Sequence, residues 1–234
     1  MSSATSNKGN DKAIVKDYFN TTGFDRWRRI YGDGDVNKVQ RDIREGHQRT
    51  VDTVVYWLKQ GSKLAGQTIC DAGCGVGSLS VPLAELGAIV SGSDISEAMI
   101  GEAKERAAKL NLGDRLSFEV KDLEAIEGSY DTVICLDVLI HYPDQDIEKM
   151  IGHLASRAQS KLILSFAPKS PVYVLLKKIG ELFPGPSKTT RAYLHPVRDV
   201  VRILRANGFE VNRREFIGSQ FYFSQILEAV RPQE

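Results

Sequence analysis

Three glycines stand at alternate positions in the run DAGCGVG, at Gly73, Gly75 and Gly77, directly after a short apolar segment. Because glycine has no side chain, such a turn lets a ligand come close to the backbone where a strand ends and a helix begins. Asp71 precedes the first glycine, and an acid at that place suits an ammonium group better than a pyrophosphate. Ser78 stands where the G-x-G-x-x-G pattern of dinucleotide sites requires its third glycine, so a dinucleotide is not indicated.

Acids also close the next two predicted strands. Asp94 ends the second strand, where a carboxylate accepts hydrogen bonds from the two hydroxyls of a ribose. Asp122 ends the third strand, at a position suited to an adenine amino group. The carboxyl ends of consecutive parallel strands surround one crevice. The predicted ligand is therefore adenosine linked to an amino acid and not to phosphate, which describes S-adenosylmethionine. We expect its site to include three neighbours of these acids, Ile95, Met99 and Leu123.

Two side chains outside this pattern are candidates for catalysis. His141 follows the fourth predicted strand in CLDVLIHYP and would lie above the crevice, and Asp137 in the same run either orients it or contacts the cofactor. Tyr31 ends FDRWRRIYGDG, and its phenol can hydrogen-bond a substrate carboxylate if this segment covers the site. The alternative reading of His141 and Tyr31 is packing in the core. The same choice stays open for Tyr18, and for His47 and Arg49 on a predicted helix, whereas His153 and His195 are interpreted as structural.

The elements that must position these residues alternate between strands and helices from residue 65 onward. Alternation of this kind predicts an α/β fold with a doubly wound, mostly parallel, seven-stranded sheet. Gly218–Ser219 marks a tight turn, so the last two strands form an antiparallel hairpin. The predicted segments are a disordered tail (1–10), a helical arm (11–64), the core (65–168 and 192–234) and a helical lid insertion (169–191). The predicted strands are Thr68–Ala72, Ala88–Asp94, Arg115–Asp122, Tyr130–Leu139 and Lys161–Pro168, with helices up to Leu86 and over Ser96–Leu110 and Pro196–Asn207.

Composition limits the classes of function. The formal net charge of the 234 residues is +1, which argues against a protein that mainly binds nucleic acid. The cysteines, Cys70, Cys74 and Cys135, have no Cys-x-x-Cys spacing and indicate a reducing compartment rather than disulfides or a protein-bound metal. No run approaches the roughly 18 apolar residues that span a bilayer, and no leader is indicated at the polar N-terminus, so we expect a cytoplasmic protein.

DAGCGVG together with SDIS and KDLE resembles the class I S-adenosylmethionine-dependent methyltransferases. The arm from VKDYFNTTGFDRW to TVVYWL, with LDVLIHYP and FPGPSKTTRAYLH, resembles the magnesium-protoporphyrin IX methyltransferases of chlorophyll biosynthesis. The resemblance implies methyl esterification of the propionate next to the future fifth ring, with S-adenosylhomocysteine as product and magnesium arriving inside the substrate. It also implies a magnesium chelatase subunit as partner. The apolar and basic residues of 170–191 fit an amphipathic core helix or a lid over a large anionic ligand, and the same pattern would suit peripheral contact with photosynthetic membranes.

The residues alone leave several alternatives open. A propionate is already ionised at neutral pH, since an unperturbed carboxyl has a pKa of about 4.3. His141 and Tyr31 would then only place it. A small-molecule O-methyltransferase acting on a quinone or another hydroxylated acceptor would need His141 as a base. A non-catalytic cofactor-binding adapter would show the same motifs, and a nicotinamide dehydrogenase shares the fold class but not the glycine spacing.

Overall fold

The computed structural model describes residues 5–32, 34–61, 63–169 and 192–232. Seven strands form one sheet in the order β3-β2-β1-β4-β5-β7-β6. All pairs are parallel except those of β7, which runs antiparallel to both β5 and β6. The predicted fold class, including the antiparallel C-terminal hairpin, is confirmed. The strands are β1 (Thr68–Ala72), β2 (Ile89–Asp94), β3 (Leu116–Val120), β4 (Tyr130–Cys135), β5 (Ala158–Phe166), β6 (Glu210–Gly218) and β7 (Phe223–Val230).

Helices cover both faces of the sheet and its C-terminal edge. In chain order they are α1 (Thr5–Asn20), α2 (Phe24–Ile30), α3 (Lys38–Gly61), α4 (Ser80–Glu85), α5 (Glu97–Ala108), α6 (Asp144–Arg157) and α7 (Val197–Ala206). The N-cap of α5 is Ser96, whose Oγ accepts the Met99 N–H at 3.2 Å, as its predicted cap position requires. The predicted elements did not include α6, although its apolar residues recur at helical spacing and Pro143 precedes it.

The core consists of two clusters, one on each face of the sheet. Neighbouring residues of β1 and β4 alternate between them, because successive side chains of a strand point to opposite faces. Cys70 and Val133 pack in one cluster, against α6 and α7, while Ile69 and Ile134 pack in the other, against α3 and α4. The two central strands are thus buried on both sides, which explains their continuous apolar sequence.

Two predicted segments differ from the structure, and a third is not described by it. Helix α1 begins at Thr5, so residues 5–10, predicted as part of a disordered tail, belong to a helix. The fourth strand ends at Cys135 and not at Leu139, because the chain turns at Asp137 (φ 58°) and continues as a short 3-10 turn, Leu139–His141. The predicted lid lies outside the described residues, apart from Lys169.

Candidate functional site

A cavity of about 430 Å³ opens at the C-terminal edge of the sheet, between the strand ends and the N-terminal helices. It lies where the strand order reverses between β1 and β4, which is where open α/β sheets bind ligands. Ten of the eleven predicted site residues line it: Tyr31, Gly73, Gly75, Asp94, Ile95, Met99, Asp122, Leu123, Asp137 and His141. Asp71 is the exception.

The glycine turn forms the floor of the cavity. Gly73 has φ 82°, and a Cβ there would stand 2.2 Å from Cγ2 of Val138, so only glycine fits. Gly75 has φ 52°, and a Cβ on it would meet nothing within 4 Å, because it faces open space. The Gly75 N–H donates to Oδ2 of Asp94 at 3.0 Å, which ties the turn to the end of β2. The turn therefore offers a ligand bare backbone in a fixed position.

Asp94 lies between this turn and α5. Its Oδ1 accepts the Ser96 N–H at 2.9 Å, while Oδ2 accepts from Gly75. Burial raises the pKa of the Asp94 carboxyl, and these backbone N–H groups oppose the rise. The carboxylate lines the cavity, as binding of two ribose hydroxyls requires.

Asp71 lies behind the turn and not in the cavity. It is 2% exposed, and its Oδ2 accepts the Ser80 hydroxyl at 2.5 Å. Burial raises the pKa of the Asp71 carboxyl to about 6, although the hydrogen bond from Ser80 lowers it. The structure thus does not place Asp71 where it could bind an ammonium group. Its position indicates that it holds the start of α4 against the glycine turn.

Asp137 is surrounded by hydrogen-bond donors. Its Oδ1 accepts from the hydroxyls of Ser165 (2.8 Å) and Ser224 (3.2 Å), and its Oδ2 from Tyr222 (2.7 Å) and from Nδ1 of His47 (3.0 Å). Burial raises the pKa of Asp137, but these donors, His47 first, outweigh it and the pKa lies below its usual value. A carboxylate has about four lone-pair positions. Asp137 therefore has little capacity left for a cofactor or for His141, and its contacts fit a residue that orients His47.

His141 presents an unpaired nitrogen in the cavity wall. Its Nδ1 is buried and has no hydrogen-bond partner among the described residues. Burial lowers the pKa of the ring to about 4, although the charge of Asp137 opposes this. His141 is therefore neutral at physiological pH. Its ring meets the ring of Phe19 edge-on, with centroids 5.6 Å apart.

Tyr31 reaches the same cavity from the arm. Its ring stacks on Trp27 at 5.4 Å and lies 4.6 Å from the ring of His47. Burial and then the charges of Asp137 and Asp94 raise the pKa of the phenol well above its usual value. The hydroxyl therefore keeps its proton and can act as a donor. Tyr31 thus belongs to the cavity wall and is not a core residue remote from the site.

The arm is attached to the strand ends by polar contacts. Oδ1 of Asn20 accepts from the Ser96 hydroxyl at 2.9 Å and from the Ala98 N–H at 3.2 Å, at the start of α5. Nζ of Lys12 lies 2.6 Å from Oδ2 of Asp122. Asp122, predicted for the adenine amino group, is thus in place at the cavity but is paired with α1.

The sequence left the role of His47 open and gave no indication of Tyr222. His47 lines the cavity and is bonded to Asp137, whereas Arg49 is exposed on the same helix. Tyr222 was not singled out, since a tyrosine in a hairpin gives no local signal of the buried carboxylate it will meet. Tyr18 is 5% exposed and packs, and His153 bonds the Ile126 carbonyl.

His195 is buried as well. Its Nδ1 lies 3.1 Å from Asp144 and its Nε2 lies 3.0 Å from the carbonyl of Leu139. Both ring nitrogens are thus used within the protein, as a structural histidine requires.

The residues of the cavity fit a nucleoside that carries no phosphate. Glycine backbone is bare at Gly75, and the acids Asp94 and Asp122 stand at the ends of adjacent strands. Among the described residues no three His, Cys, Asp or Glu side chains cluster as a metal site would require. Within the same part of the chain no helix is both long and apolar enough to cross a bilayer. The fold and the site together define a class I S-adenosylmethionine-dependent methyltransferase.

Comparisons with known proteins narrow this class. Residues 69–160 match the family model "Methyltransferase domain", and residues 135–231 match "Magnesium-protoporphyrin IX methyltransferase C-terminus". The magnesium-protoporphyrin O-methyltransferase of Synechocystis sp. is 62% identical over 94% of this chain and 96% of its own length. The chloroplastic magnesium protoporphyrin IX methyltransferase of Arabidopsis thaliana is 57% identical over 95% of this chain and 72% of its own. The chain belongs to the magnesium-protoporphyrin IX methyltransferase family.

Solved structures agree with this assignment. A crystal structure of the enzyme from Synechocystis PCC 6803 with bound S-adenosylhomocysteine has a TM-score of 0.88 and 59% identity, covering 94% of this chain and 100% of that one. A second, with bound S-adenosylmethionine, has a TM-score of 0.84 and 55% identity, covering 95% and 97%. The cofactor predicted from the glycine turn and the strand-end acids is confirmed.

Proposed function

We propose that this protein transfers the methyl group of S-adenosylmethionine to a propionate carboxylate of magnesium-protoporphyrin IX in chlorophyll biosynthesis. The observation that carries the choice of acceptor is the burial of His141 in the cavity wall, where its Nδ1 has no hydrogen-bond partner among the described residues, and this burial lowers the pKa of the ring to about 4. Because its pKa is this low, the imidazole ring of His141 binds a proton only weakly and is a poor general base at neutral pH. A phenolic acceptor, with a pKa of about 10, would need a base, whereas a propionate with a pKa of about 4.3 is already an anion. The acceptor that suits this site is therefore a carboxylate.

Bound S-adenosylmethionine supplies an electrophilic methyl group on a sulfonium. The protein's role is to bind the nucleoside at Asp94 and Asp122 and to place the acceptor oxygen in line with that methyl group. Tyr31 donates a hydrogen bond from a phenol that keeps its proton, and His141 offers its free Nδ1. Because both groups are neutral, they orient the carboxylate without the strong ground-state stabilisation that a cation would give its negative charge.

Aromatic side chains exclude water from the point of attack. The ring of Phe19 packs on His141 and lies 6.1 Å from the ring of Trp27, which in turn stacks on Tyr31. The attack combines a negative with a positive charge, so a site that holds less water favours it. The arm thus completes the site as well as covering it.

The role of His141 is tested by its replacement with alanine. We expect ester formation to fall by about a hundredfold, because the carboxylate is no longer held in line with the methyl group, while the affinity for S-adenosylhomocysteine stays within a few-fold of the wild-type value. His153→Gln is the matched control, because His153 does not line the cavity and its Nε2 bonds the Ile126 carbonyl. Loss of cofactor binding with unchanged turnover at saturation would overturn the assigned role. Equal activity on a catechol and on the porphyrin would favour a small-molecule O-methyltransferase instead.

The same proposal includes the site of methylation and the surroundings of the protein. The family resemblance supports the propionate next to the future fifth ring as the methylated group and a magnesium chelatase subunit as partner. Peripheral contact of a cytoplasmic protein with photosynthetic membranes is supported by the amphipathic pattern of residues 170–191. The amphipathic segment predicted for membrane contact, residues 170–191, lies outside the described residues. Flotation with anionic vesicles, with and without purified chelatase subunits, tests both contacts, and no co-migration with either would reject them.

A further inference from the structure

The direction of the His141 ring depends on the main chain that carries it. Its Nδ1 has no hydrogen-bond partner among the described residues, and its ring meets the ring of Phe19 only edge-on. A nitrogen left free for a ligand gives the ring no polar anchor at that atom. The main chain of the 3-10 turn, Leu139–His141, must therefore set where the ring points.

Two carbonyl groups of this turn are bonded to a segment that is distant in sequence, residues 193–195. The Tyr193 N–H donates to the Ile140 carbonyl at 2.7 Å, and Nε2 of His195 lies 3.0 Å from the Leu139 carbonyl. Because a carbonyl oxygen only accepts, Nε2 of His195 carries a proton and is the donor. Each of the two residues before His141 is thus fixed from outside the turn.

The segment 193–195 is in turn attached to the end of the sheet. The His195 N–H donates to the Ala167 carbonyl and the Lys169 N–H donates to the His195 carbonyl, both at 2.9 Å, directly after β5. The His195 side chain is buried, and the centroid of its ring lies 6.5 Å from that of Phe166. Since rigid elements place a functional group more precisely than a free loop does, this attachment suits a support for the turn.

We infer that His195 is a positioning residue for methyl transfer: its bond to the Leu139 carbonyl holds the turn so that His141 points into the cavity. The other ring nitrogen, Nδ1, lies 3.1 Å from Oδ1 of Asp144, the first residue of α6. His141 meets the acceptor, whereas His195 acts through the main chain and does not line the cavity. The inference rests on the proposed function, because it concerns how His141 orients the carboxylate.

Two amide side chains separate the two contacts of the His195 ring. The amide nitrogen of glutamine is as many bonds from Cα as Nε2 of histidine, so His195→Gln keeps a donor for Leu139. The amide nitrogen of asparagine corresponds to Nδ1, so His195→Asn keeps a donor for Asp144 and leaves the Leu139 carbonyl unpaired.

The kinetics of the two variants should therefore differ. We expect kcat to fall about tenfold to a hundredfold in His195→Asn, because a displaced His141 aligns the reactants poorly, and to stay within about threefold of wild type in His195→Gln. The KM for the porphyrin and the affinity for S-adenosylhomocysteine should stay within about threefold in both, since the interaction lost acts in the transition state. Equal losses of kcat in both variants, or no loss in either, would overturn the role of His195.

A magnetic resonance spectrum of the histidine rings tests the inference without acceptor or turnover. The chain has four histidines, so isotope-labelled histidine gives few enough signals to assign His141. We expect the His141 signals to shift in His195→Asn and to stay in place in His195→Gln. Unchanged His141 signals in His195→Asn would overturn the inference. A folded wild-type protein that forms no ester would overturn the proposed function, and the spectra would still show whether His195 holds the turn.

His153→Asn is the matched control. It removes a bond of the same kind, from Nε2 of a histidine to the Ile126 carbonyl at 3.1 Å, at a residue that does not line the cavity. Turnover and the His141 signals should be unchanged in it. Thermal melting shows whether each variant is folded. If His195→Asn is not, His195→Met takes its place, because methionine fills a similar volume and donates no hydrogen bond.

Discussion

Nζ of Lys12 lies 2.6 Å from Oδ2 of Asp122, so a side chain of the first helix meets the acid that ends the third strand. The second oxygen of Asp122 accepts the Glu124 N–H at 3.2 Å. Burial lowers the pKa of the Lys12 ammonium, but Asp122 and Glu124 outweigh it and the net shift is upward. The contact therefore fastens α1 over the end of the cavity that Asp122 lines.

Replacing Lys12 by methionine should loosen this attachment without unfolding the protein. Both side chains are about one-third exposed, at 34% and 27%, so the cost in free energy of unfolding is expected to be below about 1 kcal/mol. Amide hydrogen exchange in α1 should nevertheless speed up, because the helix loses its bond to the core. Lys16→Met, at an exposed position on the same helix, is the control and should exchange like the wild type. Unchanged exchange in both variants would show that the ion pair does not hold α1.

Stability should depend on pH through His141. Its pKa is about 4 in the folded protein and 6.5 in an unperturbed chain, so between these values the unfolded state binds more protons. The free energy of unfolding therefore falls on acidification through this window. The contribution is at most about 3 kcal/mol and is fully present above about pH 6.5. Urea denaturation of wild type and His141→Asn across the window should show a difference that grows with pH. A difference that does not vary with pH would contradict the lowered pKa.

The carboxyl group of Asp71 should give the free energy of unfolding the opposite dependence on pH. Burial raises its pKa from 3.8 to about 6, so the folded state holds this proton more tightly than the unfolded state and stability falls as pH rises through that range. Asp71→Asn keeps an acceptor for the Ser80 hydroxyl and removes the charge. We expect it to raise the free energy of unfolding by about 1–3 kcal/mol above pH 7 and to have little effect near pH 3.5. Asp114→Asn, at an exposed acid, is the control. A loss of stability at both pH values would show that the charged form is needed.

Gly46 should not tolerate a side chain. A Cβ at this position of α3 would stand 2.3 Å from Cδ1 of Tyr222, whose hydroxyl bonds both Thr50 and Asp137. Gly46→Ala therefore pushes the helix and the hairpin apart, with an expected cost of about 1–3 kcal/mol from overpacking and a lower affinity for the cofactor. Gly101→Ala is the control, since its Cβ would meet nothing within 4 Å, and it should stabilise α5 by about 0.5–1 kcal/mol. Thermal melting compares the two, and equal melting temperatures would refute the close packing.

Much of the fold follows from local patterns. The alternation of strands and helices, the glycine turn and the Ser96 cap were predicted because each depends on residues close together in sequence. Strand ends were less predictable: β4 stops at Cys135 although apolar residues continue, since the turn at Asp137 depends on its four hydrogen bonds with residues of α3, β5, β7 and the hairpin turn.

The sequence by itself determined which chemistry the site can perform, because glycines at alternate positions and acids after successive strands have few other uses. Only the tertiary structure decided which acids face the ligand. The tertiary structure directs the side chain of Asp71 into the protein interior, pairs Asp122 with Lys12, which is distant in sequence, and places His47 beside Asp137. Such contacts arise from the packing of the arm and the hairpin on the sheet, and no local pattern records where two distant elements will meet.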